Sequence, residues 1–140
     1  MSRPQGAVMG LDYGTKKIGL AIGQTITRTS RPLATIKARD GKPDWEALDR
    51  LIKEWQPVAL VVGRPLHMDG SEQEMTRRAD KFANRLEQRY RLPLFRVDER
   101  LSSQEAENLL DEMHGKGLYA DDEVDRMAAS LFLETWLQQQ

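Results

Sequence analysis

Three acidic positions stand where the surrounding sequence does not ask for a charge. Asp12 interrupts the apolar run Ala7-Val8-Met9-Gly10-Leu11 just before a Gly-Thr turn, and a carboxylate in such a run is costly unless something compensates it. Asp98 and Glu99 close the segment LFRVDE, and the carboxyl ends of strands in open α/β sheets are where ligands bind. Asp125 shares helical spacing with Ala129, Phe132 and Trp136, so it projects from a face that also carries core-directed residues. Each has a structural alternative: an Asx turn with Gly14 for Asp12, neutralisation by Arg100 for the Asp98-Glu99 pair, and a favourable charge at a helix N-terminus for Asp125. Brought together, such acids suit Mg²⁺ or Mn²⁺, hard cations that take carboxylate oxygens and complete their shells with water and phosphate. Two such ions about 4 Å apart activate a water and stabilise the departing oxygen in phosphodiester hydrolysis.

The elements that must position these acids are legible from period and punctuation. Strand-like runs at 7–13, 17–24 and 31–37 are joined by short turn-rich links, which favours an antiparallel meander. After Gly41-Lys42-Pro43 the period changes: Trp45, Leu48, Leu51, Ile52 and Trp55 form one helical face, ended by Pro57. The unbroken run at 58–62, closed by Gly63, predicts a central strand covered on both sides. Ser71 and Glu74 fit a capping box for a long helix with a stripe of Met75, Ala79, Phe82, Leu86 and Tyr90. A strand at 92–98 follows, then a second capping-box spacing, Ser102 to Glu105, and a last helix at 122–137. The order βββ, α, β, α, β, α, α predicts one α/β domain with a mixed five-stranded sheet flanked by helices.

Composition sets the limits. The chain has 140 residues, none of them cysteine, which excludes thiolate zinc sites, thiol catalysis and disulfides. No apolar run approaches the roughly 18 residues of a membrane span, and MSRPQGAVMGLDYG lacks the apolar stretch of a signal peptide, so a cytoplasmic location is expected. The formal net charge of -1 argues at first sight against a nucleic-acid partner. The balance is a cancellation, however. Residues 1–39 carry seven basic side chains against one acidic, and residues 98–140 carry three against eleven. A cationic surface beside a carboxylate-rich site is compatible with that asymmetry.

Four motifs occur in order: LDYGTKKIGLAIG, GRPLHMDGSE, RVDERLSSQEAE and EVDRMAASLFLE. Together they resemble the YqgF/RuvX family, of RNase H-like fold, whose members are described as Holliday junction resolvases and as pre-16S rRNA nucleases. The resemblance spans nearly the whole chain and implies that residues 1–140 form one RNase H-like nuclease domain. In it, strands 1–3 form the antiparallel meander and strands 4 and 5 run parallel to strand 1. It also implies that Asp12, Glu99 and Asp125 are the catalytic and metal-binding acids, selecting Glu99 over Asp98, with Mg²⁺ or Mn²⁺ as cofactor and two ions expected when substrate is bound. Arg64 and His67 depart from the family pattern, which typically has an apolar residue and Asn there. The YADDE stretch before Asp125 stands where relatives often carry lysines.

Phosphate contacts are expected from Lys16 and Lys17 beside the Asp12 turn, from Arg64 and Arg100, and from the backbone at Gly14 and Thr15, which can approach phosphate closely. The leading expectation is a metal-dependent endonuclease acting on precursor rRNA. Junction cleavage is the runner-up, and it would call for a homodimer because two symmetric strands are cut. A non-catalytic nucleic-acid or ribosome-binding module is a third reading. D-x-G-T followed by a hairpin also resembles the phosphate-binding start of actin-like ATPases, but those close two related domains around the nucleotide and these residues carry one such motif.

Overall fold

The computed structural model describes residues 5–140, so Arg3, counted above in the basic amino-terminal segment, lies outside the described residues. Strands β1 (Ala7–Asp12), β2 (Lys17–Gln24) and β3 (Thr29–Arg39) form the expected antiparallel meander. Strands β5 (Ala59–Arg64) and β6 (Leu94–Asp98) add parallel to β1 on its other side. Helix α1 (Trp45–Trp55) precedes β5, α2 (Glu74–Tyr90) joins β5 to β6, and α3 (Ser102–His114) and α4 (Asp121–Gln138) follow.

The sheet has six strands where five were expected, in the order β4-β3-β2-β1-β5-β6. The addition is a two-residue edge strand, β4 (Lys42–Pro43), paired with Ala38 and Arg39. Its cause is local: Asp40 and Gly41 both take positive φ, 48° and 81°, the geometry of a tight hairpin favoured by Asp-Gly. Proline is tolerated there because an edge strand leaves its nitrogen without a required partner.

Period-2 alternation divides the sheet into two faces. Met9, Leu11, Leu20, Leu60 and Val62 point to α1 and α2, where they meet Leu48, Ala79, Phe82 and Leu86. Val8, Ala21, Ala59 and Val61 point to α4, against Ala129, Phe132, Leu133 and Leu137. The same alternation puts Gly10 and Asp12 on the α4 face. Helix α4 lies unusually close to the sheet there, because a methyl group on Gly10 would stand 3.1 Å from Leu133 Cβ and one on Gly23 2.7 Å from Leu137 Cδ1. Leu133 is fully buried in this contact. Leu133→Ala is expected to lower stability by about 2–5 kcal/mol, read as a shift of the urea midpoint with an unchanged slope.

Both expected capping boxes are corrected. Helix α2 starts at Glu74, with Gln73 as its cap: the Gln73 N–H donates to Thr76 Oγ1 at 3.0 Å, and the Thr76 hydroxyl donates to the Pro65 carbonyl. Ser71 serves the preceding loop, where its N–H and hydroxyl both donate to Asp69 Oδ1, at 2.8 and 2.6 Å. Leu101 caps α3, and Ser102 is buried in its first turn with its N–H donating to the Glu99 carbonyl at 3.0 Å. Gly63, expected to close its strand, lies inside β5, which continues to Arg64. Among the described residues no helix is long and apolar enough to cross a membrane.

Candidate active site

Asp12, Glu99 and Asp125 line one cleft of about 300 Å³ at the carboxyl edge of the sheet, with Tyr13, Pro65, Leu66, Gln73, Arg100 and Ser103. Three features of the chain bring the acids there. Asp12 is the last residue of β1 and pairs in register with Gly19 of β2. Gly19 in turn lets α4 settle directly on the sheet one turn into the helix, since any Cβ there would collide with the Asp125 backbone. Gly63 does the same for Glu99, whose carboxyl carbon would lie 2.7 Å from an added Cβ. Glycines inside strands are the sequence signal of such close approaches.

The cleft is electrostatically stressed. Burial pushes Asp12 from its ordinary 3.8 up to about 7, opposed by a hydrogen bond with Glu99 and reinforced by the charge of Asp125. Glu99, only 7% exposed, is raised well above the carboxylate range by burial first and then by Asp12 and Asp125. Asp125 is also raised by burial, with Lys17 pulling the other way. Lys17 Nζ stands 3.2 Å from Asp125 Oδ2, but without hydrogen-bonding geometry, and among the described residues that buried oxygen has no hydrogen-bond partner.

Among the described residues no three His, Asp or Glu side chains stand close enough to form a ready-made cation cage. The donor set nevertheless fits a hard divalent cation. Three carboxyls from three elements face one cleft, burial and mutual repulsion disfavour the charge of Asp12 and Glu99 in a way that a cation would relieve, and the third presents an orphaned oxygen. The largest concavity, about 750 Å³ and lined by Val8, Phe95 and Trp136 among others, opens at the other end of the sheet. It contains no titratable carboxylate and so lacks the chemistry that marks the smaller cleft.

The other residues singled out from sequence are distributed unevenly. Arg100 is at the cleft, with its guanidinium held by Asp98 (Nε to Oδ2, 2.8 Å) and by the Met68 carbonyl (3.1 Å). This pairing holds Asp98 below the usual carboxylate range and explains why Glu99, rather than its neighbour, joins Asp12. Arg64 does not line the cleft: its guanidinium makes a two-pronged contact with Asp80, both bonds 3.0 Å, and a 2.7 Å bond to Glu72, strapping the 65–73 loop to α2. Gly14, Thr15 and exposed Lys16 form the β1–β2 turn, where the Thr15 and Lys16 carbonyls accept from Gly41 and Ala38, each at 2.8 Å. A Cβ on Gly14 would stand 2.6 Å from the Lys17 carbonyl, so the turn requires glycine. His67 is exposed in its loop, its N–H donating to the Ser71 carbonyl at 2.9 Å. Tyr13, Gln73 and Ser103 were not anticipated at the cleft. The adjacency of Tyr13 to Asp12 was the available signal for the first.

A family model described as "RuvX: Holliday junction resolvase" matches residues 6–139. A protein of Saccharophagus degradans named "Putative pre-16S rRNA nuclease" is 50% identical over 94% of this chain and 93% of its own. One of the same name from Aeromonas hydrophila is 51% identical over 96% of each chain. Among solved structures, T. thermophilus RuvC in complex with a Holliday junction substrate superposes with a TM-score of 0.55 at 15% identity, covering 96% of this chain and 94% of that one. The yeast mitochondrial Holliday junction resolvase Ydc2 superposes with a TM-score of 0.54 at 11% identity, covering 99% and 80%. At such identities these two establish the shared fold, the RNase H-like architecture expected above. The sequence match over nearly the entire chain establishes more: this protein belongs to the RuvX family.

Proposed function

We propose that the protein is a divalent-cation-dependent endonuclease of the cytoplasm that hydrolyses phosphodiester bonds in structured nucleic acid, with the 5′ end of precursor 16S rRNA as its substrate. The observation that carries the reading is the convergence of Asp12, Glu99 and Asp125, from β1, the end of β6 and α4, on one stressed cleft. The relatives' name supplies the substrate. Those three carboxylates would hold one or two Mg²⁺ or Mn²⁺ ions, which when bound supply a nucleophilic water and stabilise the leaving oxygen.

The chain's own residues do the rest. Asp12 and Glu99, whose charge burial disfavours in the free site, would ionise on going to the loaded one. Lys17 neutralises Asp125 until the site is filled and is then placed to face a phosphate oxygen. Arg100 at the rim, and Lys16 with the Gly14-Thr15 turn, supply positive charge and backbone close to the scissile strand.

Junction resolution is the second reading, favoured by the description of the matched family, and it requires two copies of this site in a homodimer. The deciding experiment measures cleavage of a precursor 16S rRNA 5′ segment and a four-way DNA junction side by side, with Mg²⁺ or Mn²⁺, alongside the protein's mass in solution. Cation-dependent cutting of the RNA is expected. Preferential symmetric cutting of the junction by a dimer would transfer the assignment to the second reading. Binding with no cleavage of either would leave a nucleic-acid-binding module.

A further inference from the structure

The cations that the sequence offered for phosphate binding are largely engaged within the protein. Lys17 faces Asp125, Arg64 is held by Asp80 and Glu72, and Arg100 by Asp98. Four other cations gather in one place. Lys42 on β4 and Arg78, Lys81 and Arg85 on α2 line a depression of about 220 Å³ with Tyr13, Phe82, Gly41 and one exposed acid, Asp40. The α2 residues are spaced by three and four, which puts them on one helical face. Among the described residues Lys42, Lys81 and Arg85 make no ion pair, and Arg78 reaches only Asp40, 3.7 Å away and 91% exposed.

The depression is a built surface rather than a chance gap. Its floor is the Tyr13 ring, 4.8 Å from that of Phe82, and the Tyr13 hydroxyl donates to the Gly41 carbonyl at 2.9 Å. Gly41 in turn donates its N–H to the Thr15 carbonyl at 2.8 Å, which fixes the Lys16 turn against the β3–β4 hairpin. Tyr13 also lines the acidic cleft, so the cleft and the depression share this residue at the carboxyl end of β1. Like charges placed this close repel one another, and Lys81 and Arg85, four residues apart, destabilise their own helix. An extended polyanion crossing from the acids relieves that repulsion.

We infer that Lys42, Arg78, Lys81 and Arg85, continued by Lys16, form a second phosphate-binding site that holds the nucleic-acid backbone on the α2 side of the scissile bond. It rests on the nuclease reading above and extends it by naming the path the substrate takes. Contacts of this kind position a strand without reading its sequence, so the site acts on affinity and register and leaves the chemical step alone.

The test compares the wild type with the triple variant Lys42→Gln, Lys81→Gln, Arg85→Gln and with a control of Arg50→Gln, Lys53→Gln on the exposed side of α1. Binding of the precursor rRNA segment is measured in chelator across a salt series, and cleavage is measured with Mg²⁺. Each lost contact is expected to flatten the slope of log K against log[salt] by about 0.7–0.9, so by about two units in all, with KM raised about 10-fold or more and kcat within twofold. The control is expected to match the wild type in slope, KM and kcat. A triple variant with the wild-type slope and KM, and an unchanged urea midpoint, overturns the site. Protein that shows the slope difference and never cleaves overturns the nuclease reading and leaves this site in place.

Discussion

Asp12→Asn is expected to abolish cleavage and, at the same time, to make the metal-free protein more stable above neutral pH. Asp12 titrates at about 7 in the folded protein against an ordinary 3.8, because burial disfavours its charge. Between those values the folded state keeps a proton that the unfolded chain has released. The stability this contributes is therefore fully present below 3.8 and lost as pH rises through about 7. Above that point the deficit is on the order of a few kcal/mol, and the neutral amide removes it. Asp49, held at about 2 by Arg89 and then Tyr90, works in the opposite sense, but only below 3.8. The window from about 4 to 7 therefore belongs to the cleft. Melting curves in chelator from pH 5 to 9 should show the variant overtaking the wild type toward pH 8. Added Mg²⁺ should raise the wild-type midpoint and leave that of the variant in place. Cleavage should fall by about 100-fold or more. A variant no more stable than the wild type at pH 8 would show the acids to be unstressed, and retained cleavage would remove Asp12 from the chemistry.

Gly19→Ala is the second substitution with a large expected effect, although Gly19 carries no chemical group. A Cβ on Gly19 would stand 2.7 Å from Asp125 Cβ and collide with the backbone of the same residue. Main chain at Asp125 has no rotamer to yield, so α4 must lift from β2. Overpacking of this kind costs about 3 kcal/mol. The larger consequence is geometric, since Asp125 moves away from Asp12, which is paired with Gly19 across the two strands. A displacement of about 1 Å at a reacting centre can lower the rate about 100-fold. The expected result is a urea midpoint below that of the wild type, with a loss of kcat that persists where the variant is fully folded. Wild-type stability together with a wild-type rate would show that α4 does not depend on the glycine for its approach.

How far the elements could be read follows from which signals are local. Strand β2 was legible to the residue and helix α1 by its face and its end, because an apolar alternation closed by turn residues and a helical stripe ended before Pro57 are encoded within each segment. The β4 hairpin was missed although Asp40-Gly41 announced it, since a two-residue strand is too short to show a period. The capping boxes failed for a different reason. Ser71-x-x-Glu74 and Ser102-x-x-Glu105 have the right spacing, but which residue caps depends on where the incoming chain turns. Asp69 had already engaged Ser71, and the Glu99 carbonyl had already engaged the Ser102 N–H.

The candidate site divides along the same line. The sequence by itself determined which residue types are present and in which elements: an acid at the end of the first strand, an acidic pair at the end of the last strand, and an acid near the start of the final helix. That helix begins at Asp121 and so places Asp125 just past its first turn rather than within it. Tertiary structure alone decided their proximity, through Gly19 and Gly63, and resolved Asp98 from Glu99 by giving Arg100 to the former. It also redistributed the cations, turning Arg64 into a strap between loop and helix and leaving Lys42, Lys81 and Arg85 without ion pairs among the described residues, beside Tyr13. A charge is written in the sequence, but whether it is already neutralised depends on which carboxylate the fold sets within about 4 Å of it. That distance comes into being only when distant segments pack.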